Sequence, residues 1–278
     1  MAPAQGDFRQ GDTMLLVDGR DRQYLLVVPE AAQSVPVKGE NLSGDILGGL
    51  QDGQVLTTPR ERRYLVLRPT LEQIVMNMPR EAQVIYPKDL ALILMWADIA
   101  PGQKVIEIGC GHGALTMALL RALGLAGALT SWDLRQDHLN RTRKNIALYL
   151  GEESLERWQP RLGDPAQEGL EEAQADRLIS DVPEPWELAE AVVQGLRPGG
   201  VWVAFVPTVL QMSRLIETIN ANKGLCLPEG FEAMQRFWHV KPPSVRPRHQ
   251  MKAHTGFVVT CRRRHEISPD SNERPALA

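Results

Sequence analysis

The stretch Lys104-Val-Ile-Glu-Ile-Gly-Cys-Gly-His-Gly-Ala-Leu-Thr116 decides the fold of this chain. It begins as a short apolar run, typical of a buried parallel strand, and ends by opening a helical pattern that reaches Leu123. Between the two lie Gly109, Gly111 and Gly113, where a side chain would block a tight turn and keep the backbone away from a ligand. The stretch therefore predicts a strand, a glycine turn and a helix.

Glu107, which precedes the first glycine by two positions, indicates which class of ligand the turn binds. A Gly-x-Gly turn also opens dinucleotide sites, or it can be purely structural. A carboxylate at this place favours a ligand with positive charge or with hydroxyl and amine donors, and would repel a pyrophosphate. Glu-x-Gly-x-Gly-x-Gly after a strand resembles the first motif of class I S-adenosylmethionine-dependent methyltransferases. The resemblance implies cofactor contacts from this motif, at Glu107, Gly109, Cys110, Gly111, His112 and Gly113.

Composition sets broad limits on the protein class. The 278 residues allow one or two domains, and 43 % hydrophobic with 23 % charged residues is ordinary for a soluble globular protein. No apolar run approaches the roughly 20 residues of a membrane span, and the N-terminus lacks the features of a secretory signal. Three scattered cysteines, Cys110, Cys226 and Cys261, argue against a disulfide framework or a zinc site. We expect a cytoplasmic protein that binds neither a membrane nor a metal.

Charge is unevenly distributed along the chain, although the net charge is only −3. Residues 236–265 hold eight Lys or Arg and no acid, whereas residues 152–190 hold twelve acids and three bases. The basic segment can create a local positive field that attracts phosphates. It can equally be a solvated strand, or it can pair with the acidic helices, and the sequence leaves these alternatives open.

The first 80 residues predict a small β-rich domain. Short strand-like runs fall at 13–17, 24–28, 35–38, 54–57 and 64–68, and Asp18-Gly-Arg-Asp21 has the composition of a hairpin turn. Close spacing of such strands favours a small barrel or an open sheet. Pro69-Thr-Leu-Glu72 then predicts the start of a helix.

From about residue 84 onward, predicted strands alternate with helices. The strands are expected at 104–108, 128–133, 158–162, 177–180, 201–206, 231–239 and 256–262, and the helices at 114–123, 136–150, 185–195 and 210–222. Alternation of this kind predicts a Rossmann-like α/β domain with a seven-stranded, mostly parallel sheet, closed by an antiparallel pair. We assign residues 81–266 to this domain and expect the tail 267–278 to be disordered.

Ligands bind beyond the carboxyl ends of parallel strands, so acids at those ends are candidate site residues. Asp133 follows Glu107 by 26 positions (133 − 107), a distance at which an acid holds ribose hydroxyls, although Asp133 can also be a helix N-cap. Asp164 could accept the amine of an adenine, but Gly-Asp is also a common turn.

Asp181 ends the fourth strand, where a catalytic group would face the transferred methyl. A carboxylate that accepts a hydrogen bond from the exocyclic amine of adenine would push electron density toward N1 and stabilise the positive charge that develops there. The alternative is an N-cap for the helix that follows Pro185.

Five segments together resemble the bacterial and archaeal tRNA (adenine-N1) methyltransferases, which modify the T-loop adenine at tRNA position 58. They are Arg68-Pro-Thr-Leu-Glu72, Ile85-Tyr-Pro-Lys-Asp89, the glycine motif, Asp181-Val-Pro-Glu-Pro-Trp186 and Arg246-Pro-Arg-His-Gln-Met-Lys-Ala-His-Thr-Gly-Phe257. The resemblance implies S-adenosylmethionine as cofactor, tRNA as partner and a homotetramer. It further implies Asp181 and Tyr86 as catalytic residues, and Asp133, Leu134, Asp164 and Asp181 as cofactor contacts beside the glycine motif.

Three departures from that family pattern are visible. Asp133 stands where the family usually has Glu, and Val182-Pro183 stands where it usually has an aliphatic pair. Cys110 and His112 in the glycine turn stand where small residues are expected. Two rival functions therefore stay open. One is a methyltransferase of the same fold that acts on a small molecule or a protein carboxylate, and the other is a non-catalytic tRNA-binding subunit.

Overall fold

The computed structural model describes residues 6–79, 84–170, 174–249, 251 and 253–265. The domain boundary expected near residue 80 and the tail expected at 267–278 lie outside these residues.

The N-terminal part is built from short antiparallel strands. Its elements are β1 (Thr13–Asp18), β2 (Gln23–Val27), β3 (Ser34–Val37), β4 (Glu40–Ser43), α1 (Gly44–Leu47), β5 (Val55–Thr57), β6 (Arg63–Leu67) and α2 (Leu71–Asn77). Four strands form a sheet in the order β2-β1-β6-β5, and β3 pairs with β4 in a separate hairpin. Each of the five predicted runs overlaps a strand, and its ends lie within one residue of the ends of that strand. β4 and α1 were not predicted. Glu-Asn-Leu-Ser has little strand propensity and becomes a strand only by pairing with β3.

A helix follows the last of these strands, where the sequence predicts one. The Thr70 side chain accepts the backbone N–H of Gln73, and the Gln73 side chain accepts the backbone N–H of Thr70. This reciprocal pair is a capping box, which satisfies donors that a helix N-terminus leaves free. The start of α2 is therefore encoded locally.

The remaining residues form an alternating α/β unit. Its elements are α3 (Pro87–Trp96), β7 (Lys104–Ile108), α4 (Ala114–Leu123), β8 (Ala128–Asp133), α5 (Gln136–Leu150), β9 (Trp158–Leu162), α6 (Pro165–Glu168), β10 (Ala175–Ser180), α7 (Ala189–Gly195), β11 (Leu196–Val206), α8 (Val209–Ala221), β12 (Leu225–Phe231), β13 (Trp238–Lys241), β14 (Ser244–Pro247) and β15 (Phe257–Arg263). Two short 3-10 helices, Glu152–Arg157 and Pro185–Leu188, precede β9 and α7. The helix predicted at 185–195 is thus divided in two.

Seven strands form one sheet in the order β12-β15-β11-β10-β7-β8-β9. The strands β11, β10, β7, β8 and β9 each run parallel to their neighbours in this order, whereas β15 is antiparallel to both β11 and β12. The predicted class, a Rossmann-like sheet closed by an antiparallel pair, is confirmed, and β12 and β15 form that pair. The small antiparallel sheets at the N-terminus are separate from it.

The sixth strand was predicted at the wrong place. It spans Leu225–Phe231, and most of the predicted segment 231–239 follows it, with its end in the separate β13–β14 hairpin. Pro228 and Gly230 hide the real strand in the sequence, because both residues weaken strand propensity. The register shifts between Cys226 and Glu229, so this edge strand accommodates the proline at an irregularity.

Apolar side chains cover both faces of the large sheet. One core packs α3, α4 and α5 on one face, and the second packs α7 and α8 on the other. Val105 points into the first core and Ile106 and Ile108 into the second, as strand periodicity requires. Full burial of such a side chain contributes about 2 kcal/mol. Within the described residues, no helix combines the length and apolarity that crossing a bilayer demands.

Candidate active site

The candidate site lies where the strand order reverses. β7 has β8 on one side and β10 on the other, and the chain reaches them by crossovers in opposite directions. In open parallel sheets, ligands bind in the crevice that forms at this point, beyond the carboxyl ends of the strands. The glycine turn follows β7, Asp133 ends β8, and Asp181 follows β10. The fold therefore brings these predicted site residues together.

Gly109 packs directly against the backbone of Asp181. Its φ of +88° is unfavourable for other residues, and a Cβ at this position would lie 2.3 Å from the Asp181 carbonyl oxygen. The Asp181 N–H donates to the Ile108 carbonyl at 2.9 Å, and the Gly109 N–H donates to the Trp132 carbonyl at 2.8 Å. The turn after β7 thus fixes the place of the turn after β10.

The rest of the glycine turn presents backbone to the crevice. Gly113 begins α4 with φ +85°, and a Cβ there would lie 3.0 Å from the Thr142 side chain. Gly111 has φ +51° with open space beside its Cα, so a ligand can approach it closely. Cys110 and His112 are both buried, which leaves their side chains little contact with the crevice.

Glu107 is fully buried rather than open to the crevice. Its carboxyl group accepts hydrogen bonds from Thr116 Oγ1 at 2.8 and 3.0 Å and from Ser131 Oγ, which in turn accepts from Trp158 Nε1 at 2.9 Å. Burial raises the pKa of Glu107 to about 8, despite these hydrogen bonds. In this structure the side chain joins β7, β8, β9 and α4, and its expected contact with a cofactor stays a prediction.

Glu107 should make the stability of the protein depend on pH. An exposed Glu loses its proton near pH ~4.3, whereas Glu107, with a pKa of about 8, keeps it in the folded chain. Folding therefore takes up a proton between these values, and the free energy of unfolding should fall as pH rises through this range, by up to about 5 kcal/mol. Glu107→Gln, which keeps the shape without the titration, should remove the contribution of Glu107 to this slope in urea unfolding between pH 5 and 8.

The exposed Glu72 on α2 provides the matched control, because Glu72→Gln should leave the slope unchanged. A further slope of the same sign should persist in Glu107→Gln below about pH 7, since the pKa of Asp181 is also raised, to about 7. An undiminished slope in Glu107→Gln would show that Glu107 is ionised in the folded protein.

Asp133 organises the glycine turn. Its Oδ2 accepts the N–H groups of Cys110 at 3.1 Å and Gly111 at 3.2 Å, and its Oδ1 accepts the N–H of Arg135 at 2.9 Å. His138 Nδ1 lies 3.1 Å from the same carboxylate. Arg135, not Asp133, occupies the N-cap position of α5, so the alternative of a helix cap does not describe this residue. Asp133 stands beside the crevice, and Leu134 next to it is 71 % exposed.

Asp164 lies at the same edge of the sheet, two strands away from β7. It is the N-cap of α6, where its side chain accepts the N–H of Ala166 at 3.0 Å and the side-chain amide of Gln167 at 3.1 Å. The structure therefore shows the turn-and-cap arrangement for this residue. Its contact with an adenine stays a prediction.

Asp181 is exposed, and its carboxylate accepts no hydrogen bond from any described residue. It nevertheless lies low in the crevice, where surrounding protein removes much of its hydration and Asp133 adds negative charge. Together these raise the pKa of Asp181 to about 7. The N-cap of the following 3-10 helix is Glu184, so Asp181 does not serve as that cap. An accessible carboxylate held without a partner is suited to bind a donor on a ligand.

Tyr86 stands at the N-cap of α3, and a buried ion pair fixes that helix start. Lys88 Nζ donates to Asp89 at 2.6 Å, to the Ala233 carbonyl at 2.7 Å and to Thr255 Oγ1 at 2.6 Å. The Thr255 hydroxyl donates to Asp89 at 2.7 Å. No role was predicted for Lys88 and Asp89, although adjacent opposite charges at the start of an apolar helix were a usable signal.

His254 ties the C-terminal segment to the same edge of the sheet. Its Nδ1 lies 2.9 Å from Glu232 Oε2 and its Nε2 2.8 Å from the Pro207 carbonyl, and the Glu232 carboxylate raises the pKa of this histidine. Among the described residues, no group of three or more His, Cys, Asp or Glu is placed to hold a metal ion.

Comparisons with known proteins agree with this geometry. The family model described as "tRNA methyltransferase complex GCD14 subunit" matches residues 63–256. The tRNA (adenine(58)-N(1))-methyltransferase TrmI of Thermus thermophilus is 33 % identical over 250 residues, which cover 90 % of this chain and 96 % of that protein. The solved structure of the tRNA (m1A58) methyltransferase TrmI from Aquifex aeolicus is 26 % identical with a TM-score of 0.79, covering 93 % and 99 % of the two chains. A SAM-dependent O-methyltransferase from Thermotoga maritima has a TM-score of 0.86 at 24 % identity, over 94 % and 96 %, which shows the shared fold alone.

Proposed function

The chain belongs to the tRNA methyltransferase family of the GCD14 subunit, and from that premise we propose that it methylates N1 of the T-loop adenine of tRNA, at position 58. It is an S-adenosylmethionine-dependent enzyme, as are its relatives of this fold. The observation that carries the proposal is Asp181, an accessible carboxylate without a partner among the described residues, packed against the glycine turn. The proposal includes a homotetramer and a cytoplasmic location.

The residues at the crevice fit the cofactor. S-adenosylmethionine, when bound, supplies a methyl group on a positively charged sulfur. Gly111 leaves open space for the close approach of a ligand, and Asp133 and Asp181 give the crevice negative charge that suits a cation with hydroxyl and amine donors. We assign the cofactor contacts to the glycine turn, Asp133, Leu134 and Asp164. The sequence also predicts contacts from Glu107, which is fully buried, and from Asp181, which we assign mainly to the base.

Asp181 would orient and activate the base. N1 of adenine supplies its own lone pair, so no covalent enzyme intermediate is needed. The Asp181 carboxylate would accept a hydrogen bond from the exocyclic amine, which raises electron density at N1 and stabilises the cationic product. Tyr86, at the start of α3, would form an aromatic wall of the base pocket. Because the T-loop adenine is buried in folded tRNA, the base must be extruded into this pocket.

The test is methyl transfer from labelled S-adenosylmethionine to unmodified tRNA transcripts, followed by nucleoside analysis. The matched control is a transcript in which the T-loop adenine is replaced by guanine. Label in N1-methyladenine that disappears with the control transcript is the expected result. Label in another nucleoside would overturn the substrate assignment. Cofactor binding without transfer to tRNA would favour a small-molecule or protein methyltransferase of this fold or a non-catalytic subunit.

A further inference from the structure

A basic depression lies on the small β sheet, outside the candidate active site. Its volume is about 470 Å³, and it is bounded by the β1–β2 turn, the β3–β4 turn and the start of β6. Five of the residues that line it are cationic and one is acidic: Arg20, Arg22, Lys38, Arg62, Arg63 and Asp18. The depression therefore carries a strong excess of positive charge on a chain whose net charge is −3.

Asp18 holds this cluster together from beneath. Its carboxylate accepts the N–H groups of Arg20 at 2.9 Å and Arg22 at 3.2 Å, the Arg22 side chain at 2.7 Å and Lys38 Nζ at 3.3 Å. Burial alone would raise the pKa of Asp18, but these hydrogen bonds outweigh it and hold the pKa well below the usual range. A carboxylate that stays ionised thus draws cations from separate turns into one place.

Two guanidinium groups in the depression have no bonding partner among the described residues. The side chains of Arg20 and Arg63 are exposed and make no hydrogen bond or ion pair with any described residue. Arg62, in contrast, donates to the Lys38 carbonyl, which fixes the rim of the depression. Guanidinium groups bind phosphate oxygens through paired hydrogen bonds, so free arginines at a rigid rim are suited to phosphate.

The depression adjoins the basic segment of the C-terminal region. Lys241 lies at the end of β13, and its Nζ is 3.5 Å from Oδ2 of Asp21 in the β1–β2 turn. Arg262 and Arg263 of that segment donate to the carbonyls of Gly199 and Leu196 and so are not free in the same way. The fold thus brings the N-terminal cations next to the β13–β14 hairpin, which belongs to the segment without acids.

We propose that this depression is a phosphate subsite that holds the backbone of the tRNA substrate away from the methylated base. The proposal rests on the proposed function. It assigns backbone rather than base recognition because Tyr64, the aromatic residue that lines the depression, is 1 % exposed and offers no face on which a base can stack. The open shape and the surface position of the arginines suit a continuous strand of phosphates.

The test compares tRNA binding by the full-length protein over a range of KCl concentrations. The variant Arg20→Ser/Arg63→Ser removes the two free cations. Loss of two phosphate contacts should make the slope of log K against log salt shallower by about 1.8 and weaken binding by roughly 10- to 60-fold at ~0.1 M salt. Arg20→Lys/Arg63→Lys, which keeps both charges, should retain most of the slope. The control Arg121→Ser/Lys144→Ser removes two exposed cations of α4 and α5 and should match the wild type.

The outcomes separate the two proposals. If the wild type binds tRNA with a steep salt slope and the serine variant has the same slope, the subsite is refuted and the proposed function stands. If the control variant loses as much tRNA affinity and salt slope as the serine variant, the loss reflects the total charge of the protein and not these two positions, and the subsite is refuted as well. If the wild type shows no salt-dependent binding of tRNA, the proposed function falls and the subsite falls with it.

Discussion

Replacing Asp181 with alanine is expected to lower methyl transfer to tRNA by about 100-fold or more while leaving cofactor binding nearly intact. The carboxylate is exposed and bonds to no described side chain, so its removal breaks no contact in the described fold. In the proposed mechanism, what it removes is the acceptor for the exocyclic amine of the base. Initial rates with saturating S-adenosylmethionine measure the loss. The rise in melting temperature on adding the cofactor measures its binding, since a ligand of the folded state stabilises that state.

The nearby Glu184 supplies a matched control. It is an exposed carboxylate in the same turn, and Glu184→Gln should leave the rate unchanged. An independent readout is the pH profile. The pKa of Asp181 is raised to about 7 by the loss of hydration in the crevice and by Asp133, so the wild-type rate should increase with pH up to that value as the carboxylate ionises. Asp181→Asn should lose this increase together with the rate. Activity near the wild-type level in Asp181→Ala would remove Asp181 from the mechanism.

The architecture of the α/β unit could be predicted because its signals are local. β7, β8 and β9 occupy the predicted bounds 104–108, 128–133 and 158–162. β7 is an apolar run that ends at the glycine turn, and β8 and β9 lie on either side of the predicted helix 136–150. β12 could not be predicted in this way. Its strand conformation depends on pairing with β15 across an irregular register, which overrides the proline and the glycine inside it.

Side-chain direction in the site was beyond sequence reasoning. The spacing of Glu107 and Asp133 placed both at carboxyl ends of strands, and that placement is what the structure shows. Glu107 turns inward because Thr116 and Ser131 offer hydroxyl donors in the core, which no linear pattern reveals. The Asp89–Thr255 contact joins residues 166 positions apart. The contact between the Tyr-Pro-Lys-Asp segment and the C-terminal segment therefore becomes visible only in the folded protein.

Gly109→Ala should be the most damaging small substitution in the glycine turn. A φ of +88° is unfavourable for alanine. Its Cβ would also lie 2.3 Å from the Asp181 carbonyl oxygen, a backbone atom that cannot rotate away. Strain and displacement together should lower the free energy of unfolding by about 3 kcal/mol. Because the Asp181 turn must shift to make room, methyl transfer per folded molecule should fall by roughly 100-fold, as a displacement of about 1 Å does at other reacting centres.

The variant Gly111→Ala separates the effect of the backbone conformation from the effect of the steric clash. Its φ of +51° carries a similar backbone cost, but no atom lies within 4 Å of the added Cβ, so the loss of stability should be about 1 kcal/mol. Urea unfolding measures both variants, and rates are corrected for the folded fraction. If Gly109→Ala lost no more stability than Gly111→Ala, the close packing of the two turns would not hold in solution. If Gly109→Ala lost stability but kept its rate per folded molecule, the aim of Asp181 would not depend on that packing, and the role of the turn would be limited to folding.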